Sequence, residues 1–342
     1  MKKPPNHAKQ DAKQRVVQRN VTRSSAIIFF GTPDYVIPVL DALKNAGYDI
    51  AAVVCQPPKP IGRHGIAEPS PVAQWADKFN IQVIDKRPKD CVEEIRKIGA
   101  PVAVLEAYGR LIPQELINAF PKGIINVHPS LLPKYRGASP VEGALVSGDQ
   151  ETGVTILKLD ADLDHGPILS QFTETILPED NRVTLRKRLF DKAASVLPEI
   201  LQEYLDGKTK LKEQDHDKAT FTTLMKKEMG FIPPEYVAAA TKGDALQGKK
   251  WPIPFVKGLT IHPSPITIHR FIRAVNPWPG AFTNVKLMVN GQWLTKRLKI
   301  LEAHLELLTI NHYSLIIDRV QLEGKNPVSW KQFKEGYPAT TF

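Results

Sequence analysis

The sequence has 342 residues and a net charge of +10; 42% of its residues are hydrophobic and 24% are charged. This length and composition suit a soluble globular protein of about two domains, each with its own core. No apolar stretch approaches the roughly 18 residues that cross a bilayer, and the two cysteines, Cys55 and Cys91, are too few for a disulfide framework. These features exclude a transmembrane or disulfide-stapled protein. They indicate a reducing compartment, which we expect to be the cytoplasm rather than an organellar matrix.

The charge is unevenly distributed along the chain. Residues 1–25 hold seven basic side chains and one acid, and residues 26–219 hold 23 basic and 27 acidic side chains. Residues 220–342 hold 16 basic and 8 acidic side chains. A basic region joined to a mildly acidic one suggests a polyanionic partner that the basic part attracts, although surface lysines can also serve solubility alone.

The beginning of the chain differs from the rest in composition. Residues 1–25 are polar and basic with few large apolar side chains, which predicts a disordered tail. The tail lacks the apolar segment of a secretory signal, and its weak amphipathicity disfavours a transit peptide. From Ala26 onwards, strand-like and helical segments alternate until a long helix ends at Gly207. This alternation predicts a parallel, Rossmann-like α/β sheet that forms a catalytic domain over residues 26–207.

Two early loops bear on function. The turn after the first strand reads GTPDY at residues 31–35 and not GxGxxG, so a nicotinamide cofactor is not indicated. Residues 56–71 form a long connection rich in proline and glycine, and Lys59, Arg63 and His64 make it basic. Loops of this length are usually functional or disordered, so this one is either a binding element or a surface loop with incidental charge.

The most informative segment is the end of an apolar run at residues 124–128. Asn126 and His128 are two positions apart, so their side chains leave the same side of an extended strand. The carboxyl end of a buried strand is where α/β proteins place ligands and catalytic groups. Asp164 lies in a second turn, fixed by a glycine and a proline. An amide, an imidazole and a carboxylate can together activate a nucleophile and stabilise an oxyanion, which is consistent with acyl-group transfer.

The last third of the chain reads as a separate unit. Residues 208–220 are polar and predict a linker, and residues 221–342 contain a short helix, the turn NPWPGAF and several short strands. Short strands separated by glycine turns fit a small β-barrel. Its excess of basic side chains suggests a polyanionic partner.

Longer strings of residues resemble a known family. HPSLLPKYRG at residues 128–137 and LDHGPIL at residues 163–169 resemble the formyltransferases that use 10-formyltetrahydrofolate. The resemblance implies that Asn126, His128 and Asp164 are the catalytic set. It also implies folate contacts, without a metal, at the following residues: Ser130, Leu131, Leu132, Pro133, Tyr108 and Gly109.

Three further strings point to one branch of this family. FFGTPDYVIPVLDAL at residues 29–43, the basic loop and FIRAVNPWPGAF at residues 271–282 resemble the members whose acceptor is initiator methionyl-tRNA. In those members the basic loop contacts the tRNA, which implies tRNA contacts at Lys59, Arg63 and His64. The barrel would then be their oligonucleotide-binding-like domain, and we expect a monomer that binds folate and tRNA and no membrane.

The resemblance also implies a mechanism and leaves alternatives open. The amine would attack the formyl carbon, Asn126 and His128 would stabilise the oxyanion, and Asp164 would orient His128 and take the proton. We expect both His128 and Asp164 to sit in exposed loops. Pro58 and Glu142 depart from the family pattern. A sugar-nucleotide formyltransferase, a formyltetrahydrofolate hydrolase and a non-catalytic RNA-binding protein are the competing hypotheses.

Overall fold

A computed structural model describes residues 26–61 and 66–342. The predicted tail at residues 1–25 therefore lies outside the described residues, as do Arg63 and His64. None of the helices in the described ranges is long and apolar enough to cross a membrane.

The first domain is built around a seven-stranded sheet. Its strands are β1 (Ile27–Phe30), β2 (Ile50–Val54), β5 (Gln82–Ile84), β6 (Val102–Leu105), β7 (Ile124–His128), β9 (Glu151–Lys158) and β10 (Ile168–Thr175). They lie in the order β10-β9-β7-β6-β1-β2-β5. The five strands from β7 to β5 in this order are parallel, and β9 and β10 are antiparallel additions at one side. This architecture confirms the predicted α/β fold.

Helices cover both faces of this sheet because its central strands are apolar on both sides. The helices are α1 (Ile37–Asn45), α2 (Pro71–Lys78), α3 (Val92–Ile98), α4 (Gln114–Ile117), α5 (Pro140–Ser147) and α6 (Arg182–Leu205). Two separate clusters of buried side chains lie on the two faces, and the residues of β1 alternate between them. The long helix α6 begins at a capping box in which the Asn181 side chain accepts from the backbone of Val183 and Thr184.

The basic loop contains regular structure that the sequence did not predict. A short antiparallel hairpin pairs Lys59 with Glu68, and it consists of β3 (Lys59–Ile61) and β4 (Ile66–Glu68). Of the three predicted tRNA contacts, only the backbone of Lys59 therefore falls within the described part of the chain.

The last third of the chain contains a second, antiparallel sheet. Its elements are α7 (Pro234–Thr241), α8 (Pro265–Val275), β14 (Phe282–Val289), β15 (Gln292–Thr309), β16 (His312–Leu322), β17 (Val328–Ser329) and α9 (Trp330–Gly336). The strands lie in the order β14-β15-β16-β17, and single bridges join β14 to Phe231 and Thr341 at its other side. The helix α8 begins at a capping box of Ser264 and Thr267 and packs against both β15 and β16.

The segment between the two sheets runs across the first domain. The short strands β8 (Arg136–Gly137) and β11 (Phe221–Thr222) pair in parallel, and Lys212 forms a bridge with Ile168 on β10. A second short pair, β12 (Trp251–Pro252) and β13 (Thr260–Ile261), follows. The residues expected to form a linker, 208–220, thus bond directly to the edge strand β10 of the first sheet.

His269 on α8 provides a test of how this second unit is packed. Burial, reinforced by the positive charge of Arg273, lowers the pKa of His269 to about 4. Between pH 7 and pH 5 the unfolded chain therefore takes up a proton at His269 that the folded chain does not, and stability falls as the pH falls. At pH 5 this one group should cost about 2 kcal/mol of unfolding free energy relative to pH 7. We expect His269→Gln to lose correspondingly less stability over this range in urea denaturation. Equal losses of unfolding free energy in the two proteins would show that folding does not shield His269 from protonation.

Candidate active site

The site begins at the carboxyl end of β7. All five residues of this strand are buried, and Ile125 and Val127 point into the larger apolar cluster. Asn126 and His128 alternate with them and leave the opposite side of the strand, as the sequence predicted. Each is only 5% exposed. The strand thus presents an amide and an imidazole side by side at the edge of the sheet.

Asp164 joins these two side chains. Its Oδ1 accepts a hydrogen bond from Asn126 Nδ2 at 3.0 Å, and its Oδ2 lies 3.6 Å from His128 Nδ1. Oδ2 also accepts a hydrogen bond from the backbone N–H of Gly137 at 2.7 Å. The three predicted catalytic residues therefore meet in one cluster. The expectation that His128 and Asp164 sit in exposed loops is wrong, because Asp164 is only 8% exposed.

The surroundings of His128 define which ring nitrogen carries the proton. Its Nε2 lies 3.0 Å from the carbonyl oxygen of Tyr135. A carbonyl oxygen only accepts hydrogen bonds, so Nε2 must be the donor. The other nitrogen, Nδ1, then faces Asp164 and is free to accept a proton or to bond to a third group between them.

These residues line a cavity of about 420 Å³. Its walls include Tyr108 and Gly109, two of the predicted folate contacts, beside the exposed side chain of Leu111. The side chain of Tyr108 is buried, and its hydroxyl has no hydrogen-bond partner within the described ranges. Burial also raises the pKa of Tyr108 to about 12, so the hydroxyl stays protonated.

The predicted folate loop has an internal role in the structure. Leu132 N–H donates to Thr155 Oγ1 at 3.1 Å, and the hydroxyl of Thr155 donates to the Ser130 carbonyl at 2.6 Å. The cavity is lined by Pro129 but not by Ser130, Leu131, Leu132 or Pro133. These four residues shape the loop beside the cavity.

A cluster of charges also borders the cavity. Glu142 on α5 is 1% exposed, and its Oε1 accepts hydrogen bonds from Arg182, at 2.6 Å, and from Arg186. The Arg186 guanidinium lies over the ring of Tyr35, which stacks on Phe190 with centroids 5.2 Å apart. Glu142, noted in the sequence only as a departure, therefore pairs with Arg182 and with Arg186, which lines the cavity.

The spacing of the two arginines in the sequence indicates a nearby negative group, and the sequence analysis missed this indication. Arg182 and Arg186 are four residues apart in the first turns of α6. Like charges at this spacing repel, and the positive end of the helix dipole adds to the cost. A negative group nearby offsets this repulsion, and here that group is Glu142.

A second buried carboxyl lies just past the end of β6. Glu106 is fully buried, and neither of its carboxyl oxygens has a hydrogen-bond partner among the described residues. Burial raises the pKa of Glu106 well above its usual range, which favours the neutral acid. The acidic side chains that line the cavity are those of Glu142 and Asp164.

Comparison with known proteins identifies what this arrangement is similar to. Residues 23–201 match the family described as formyl transferase, and residues 262–312 match its C-terminal domain. A methionyl-tRNA formyltransferase of Solibacter usitatus is 34% identical over 92% of this chain and 96% of its own length. A methionyl-tRNA formyltransferase of Chloroflexus aggregans is 38% identical over 75% of each chain.

Solved structures share the fold at low sequence identity. A 4-N formyltransferase from Francisella tularensis has a TM-score of 0.54 and 15% identity, and the match covers 80% of this chain and 96% of that one. HypX from Aquifex aeolicus, crystallised with tetrahydrofolic acid, has a TM-score of 0.56 and 14% identity over 92% of this chain and 47% of its own. No group of three or more His, Cys, Asp or Glu that could hold a metal occurs in residues 26–61 and 66–342.

Glu142→Gln tests the charge cluster. The substitution leaves two guanidinium groups beside a neutral amide, and breaking a buried pair in this way costs about 3–5 kcal/mol. We expect a loss of unfolding free energy near the lower end of this range, measured by urea denaturation, because both arginines keep some solvent contact. The matched control is Asp191→Asn, which removes an exposed i,i+4 pair with Lys187 on α6 and should cost less than about 0.5 kcal/mol. Equal effects would show that the cluster is effectively solvated.

Proposed function

Because this chain belongs to the formyltransferase family, and within it to the methionyl-tRNA formyltransferases, we propose the following reaction from the geometry of its site. The enzyme transfers the formyl group of 10-formyltetrahydrofolate to the α-amino group of initiator methionyl-tRNA, which prepares that tRNA for translation initiation. The observation that carries the proposal is the meeting of Asn126, His128 and Asp164 at one cavity.

The two walls of the cavity suit two different substrates. We assign the formyl donor to the wall of Tyr108, Gly109 and Leu111, where apolar surface fits a flat heterocycle. We assign the aminoacyl end of the tRNA to the wall of Tyr35 and Arg186. An arginine beside an aromatic ring suits a ribose and a nearby phosphate. The catalytic cluster lies where the two substrates would meet.

The first step forms a bond between the methionyl nitrogen and the formyl carbon. The lone pair of the neutral amine attacks, and the electrons of the formyl double bond move onto its oxygen. Asn126 has a second amide N–H that is not used by Asp164, and this group would donate to the oxyanion. His128, when protonated at Nδ1, would donate to the same oxygen.

The second step breaks the bond between the formyl carbon and N10 of the folate. The attacking nitrogen carries an extra proton, which Asp164 accepts directly or through one water. The oxyanion then returns its electrons, the carbon–N10 bond breaks, and N10 takes up a proton from the same relay. Asp164 would also orient the His128 ring, because its Oδ2 lies 3.6 Å from Nδ1.

The recognition of tRNA rests on the basic parts of the chain. Residues 220–342 hold 16 basic and 8 acidic side chains, which suits contact with phosphates. Lys59, Arg63 and His64 would add a second basic contact near the acceptor end. We further propose a cytoplasmic monomer, in keeping with the two buried free thiols, Cys55 and Cys91.

A comparison of acceptors separates this function from its alternatives. The protein is incubated with 10-formyltetrahydrofolate and, in turn, with charged initiator tRNA, a UDP-aminosugar and water alone, and the formylated products are measured. We expect efficient transfer to the tRNA only. Transfer to the sugar would indicate a sugar-nucleotide formyltransferase, and release of formate without an acceptor would indicate a hydrolase.

Substitution of the catalytic residues tests the assigned roles. His128→Ala and Asp164→Asn should each lower kcat by about 10²–10³, the usual cost of losing an oxyanion donor or a base. Folding is checked by circular dichroism and urea denaturation. Asp160→Asn, which removes a partly exposed carboxylate that bonds to His165 in the same loop, is the control and should leave kcat nearly unchanged. Near-normal turnover in either catalytic variant would rule out the mechanism.

The basic loop is tested by its salt dependence. Replacing Lys59 and Arg63 together by alanine should weaken tRNA binding and make its affinity fall less steeply with salt, because each lost phosphate contact releases one counterion fewer. Binding of the folate should not change. A control that replaces the exposed Lys122 and Lys208, at the opposite end of the sheet, should keep the parent slope. Identical slopes for the loop variant and the parent would exclude the loop as a tRNA contact.

A further inference from the structure

A single glutamine outside the catalytic cluster holds the loop that carries Asp164. Gln214 is 6% exposed, and its Nε2 donates to the backbone carbonyls of Asp164, at 2.9 Å, and of Gly166, at 2.8 Å. Its Oε1 accepts from Arg136 Nε at 3.2 Å and from Arg136 Nη2 at 2.7 Å. Both N–H donors and both lone pairs of the amide are thus used.

The loop needs such support because its backbone is strained. Asp164 has φ of +47°, in the left-handed region that residues with a side chain rarely adopt. Gly166 is confined as well, since a Cβ at this position would lie 1.9 Å from the carbonyl oxygen of Lys158. A strained conformation persists only where the surrounding structure fixes it. Gln214 fixes the carbonyls on both sides of this turn.

Arg136 anchors the glutamine from the other side. It is 4% exposed on β8, and its Nη2 also lies 2.8 Å from Nδ1 of His216. The next residue, Gly137, donates its backbone N–H to the Asp164 carboxylate. Two neighbouring residues of β8 therefore act on Asp164, one on the carboxylate directly and one on the backbone through Gln214.

We propose that Gln214 and Arg136, together called the Arg136–Gln214 clamp, are positioning residues for Asp164. The clamp keeps the backbone of Asp164 in its left-handed conformation, and so aims the carboxylate at Asn126 and His128. The proposal rests on the proposed function, because it assigns the clamp an effect on formyl transfer. It makes residues 208–220 a part of the active site rather than a tether.

The geometry offers a variant that separates the two roles of Gln214. Gln214→Glu keeps an acceptor for Arg136 but loses both donors to the loop, so Arg136 stays paired while the turn is released. We expect a folded protein whose kcat falls about tenfold to a hundredfold, as is usual for groups that orient a catalytic residue. The KM values for the folate and for the tRNA should change less than about threefold, since Gln214 does not line the cavity.

A double-mutant cycle with Asp164→Asn provides the decisive measurement. If Gln214 acts through Asp164, then Gln214→Glu should lower kcat in the parent but not in the Asp164→Asn background. Gln214→Met is measured alongside in case the glutamate disturbs folding, and Gln202→Met is the matched control. Gln202 bonds through its side chain to the exposed Asp206 and should leave kcat unchanged.

The outcomes separate the two proposals. Normal kcat in both Gln214 variants, with an inactive Asp164→Asn, would overturn the clamp alone. The clamp would also be overturned if the kcat of the double variant fell by the product of the two single losses, because Gln214 would then act independently of Asp164. An active Asp164→Asn would overturn the proposed mechanism and the clamp together.

Discussion

The Asp164 carboxylate connects chain segments that are distant in sequence. It accepts hydrogen bonds from the Asn126 amide at the end of β7 and from the backbone of Gly137 on β8. An ionised carboxylate at 8% exposure is stable only with such partners, because a buried charge without hydrogen bonds costs several kcal/mol. The strand end, the loop after it and the loop of Asp164 are therefore fixed relative to one another. The cavity has a defined shape because these three segments form its floor.

Much of this arrangement of the strand end and the two loops could be predicted from local sequence patterns. Side chains alternate along a strand, so the apolar residues Ile125 and Val127 are enough to assign Asn126 and His128 to the same side of β7. The turn of Asp164 is visible as a glycine and a proline. Its meeting with β7 could be inferred only from the resemblance of longer strings to a family. The burial of the site was not predictable. Residues 208–220, which bond to the loop of Asp164 through Gln214, have a polar sequence that predicts an exposed linker.

The missed residues share one physical cause. Gln214 lies in a stretch whose polarity predicted a linker, yet a polar side chain with all its hydrogen bonds made inside the protein looks the same in sequence as one bonded to water. Glu142 and Arg182 are 40 positions apart, so no local period relates them. Sequence patterns report the face on which a residue lies, and they do not report its long-range partner. Polar networks formed between elements are therefore the part of an active site that sequence analysis finds last.

The same polar contacts join the basic part of the chain to the catalytic part. Helix α5, which carries Glu142, packs against α8, and Arg273 on α8 donates to the carbonyls of Pro178 and Asp180 just before α6. Arg182, which pairs with Glu142, donates to the carbonyl of Trp278. With such direct contacts, the distance from the basic surface to Asp164 is set by packing and not by the length of a flexible linker. On the proposed function, a rigid spacing would favour an acceptor whose reactive end lies at one distance from its phosphates, as the acceptor end of a tRNA does.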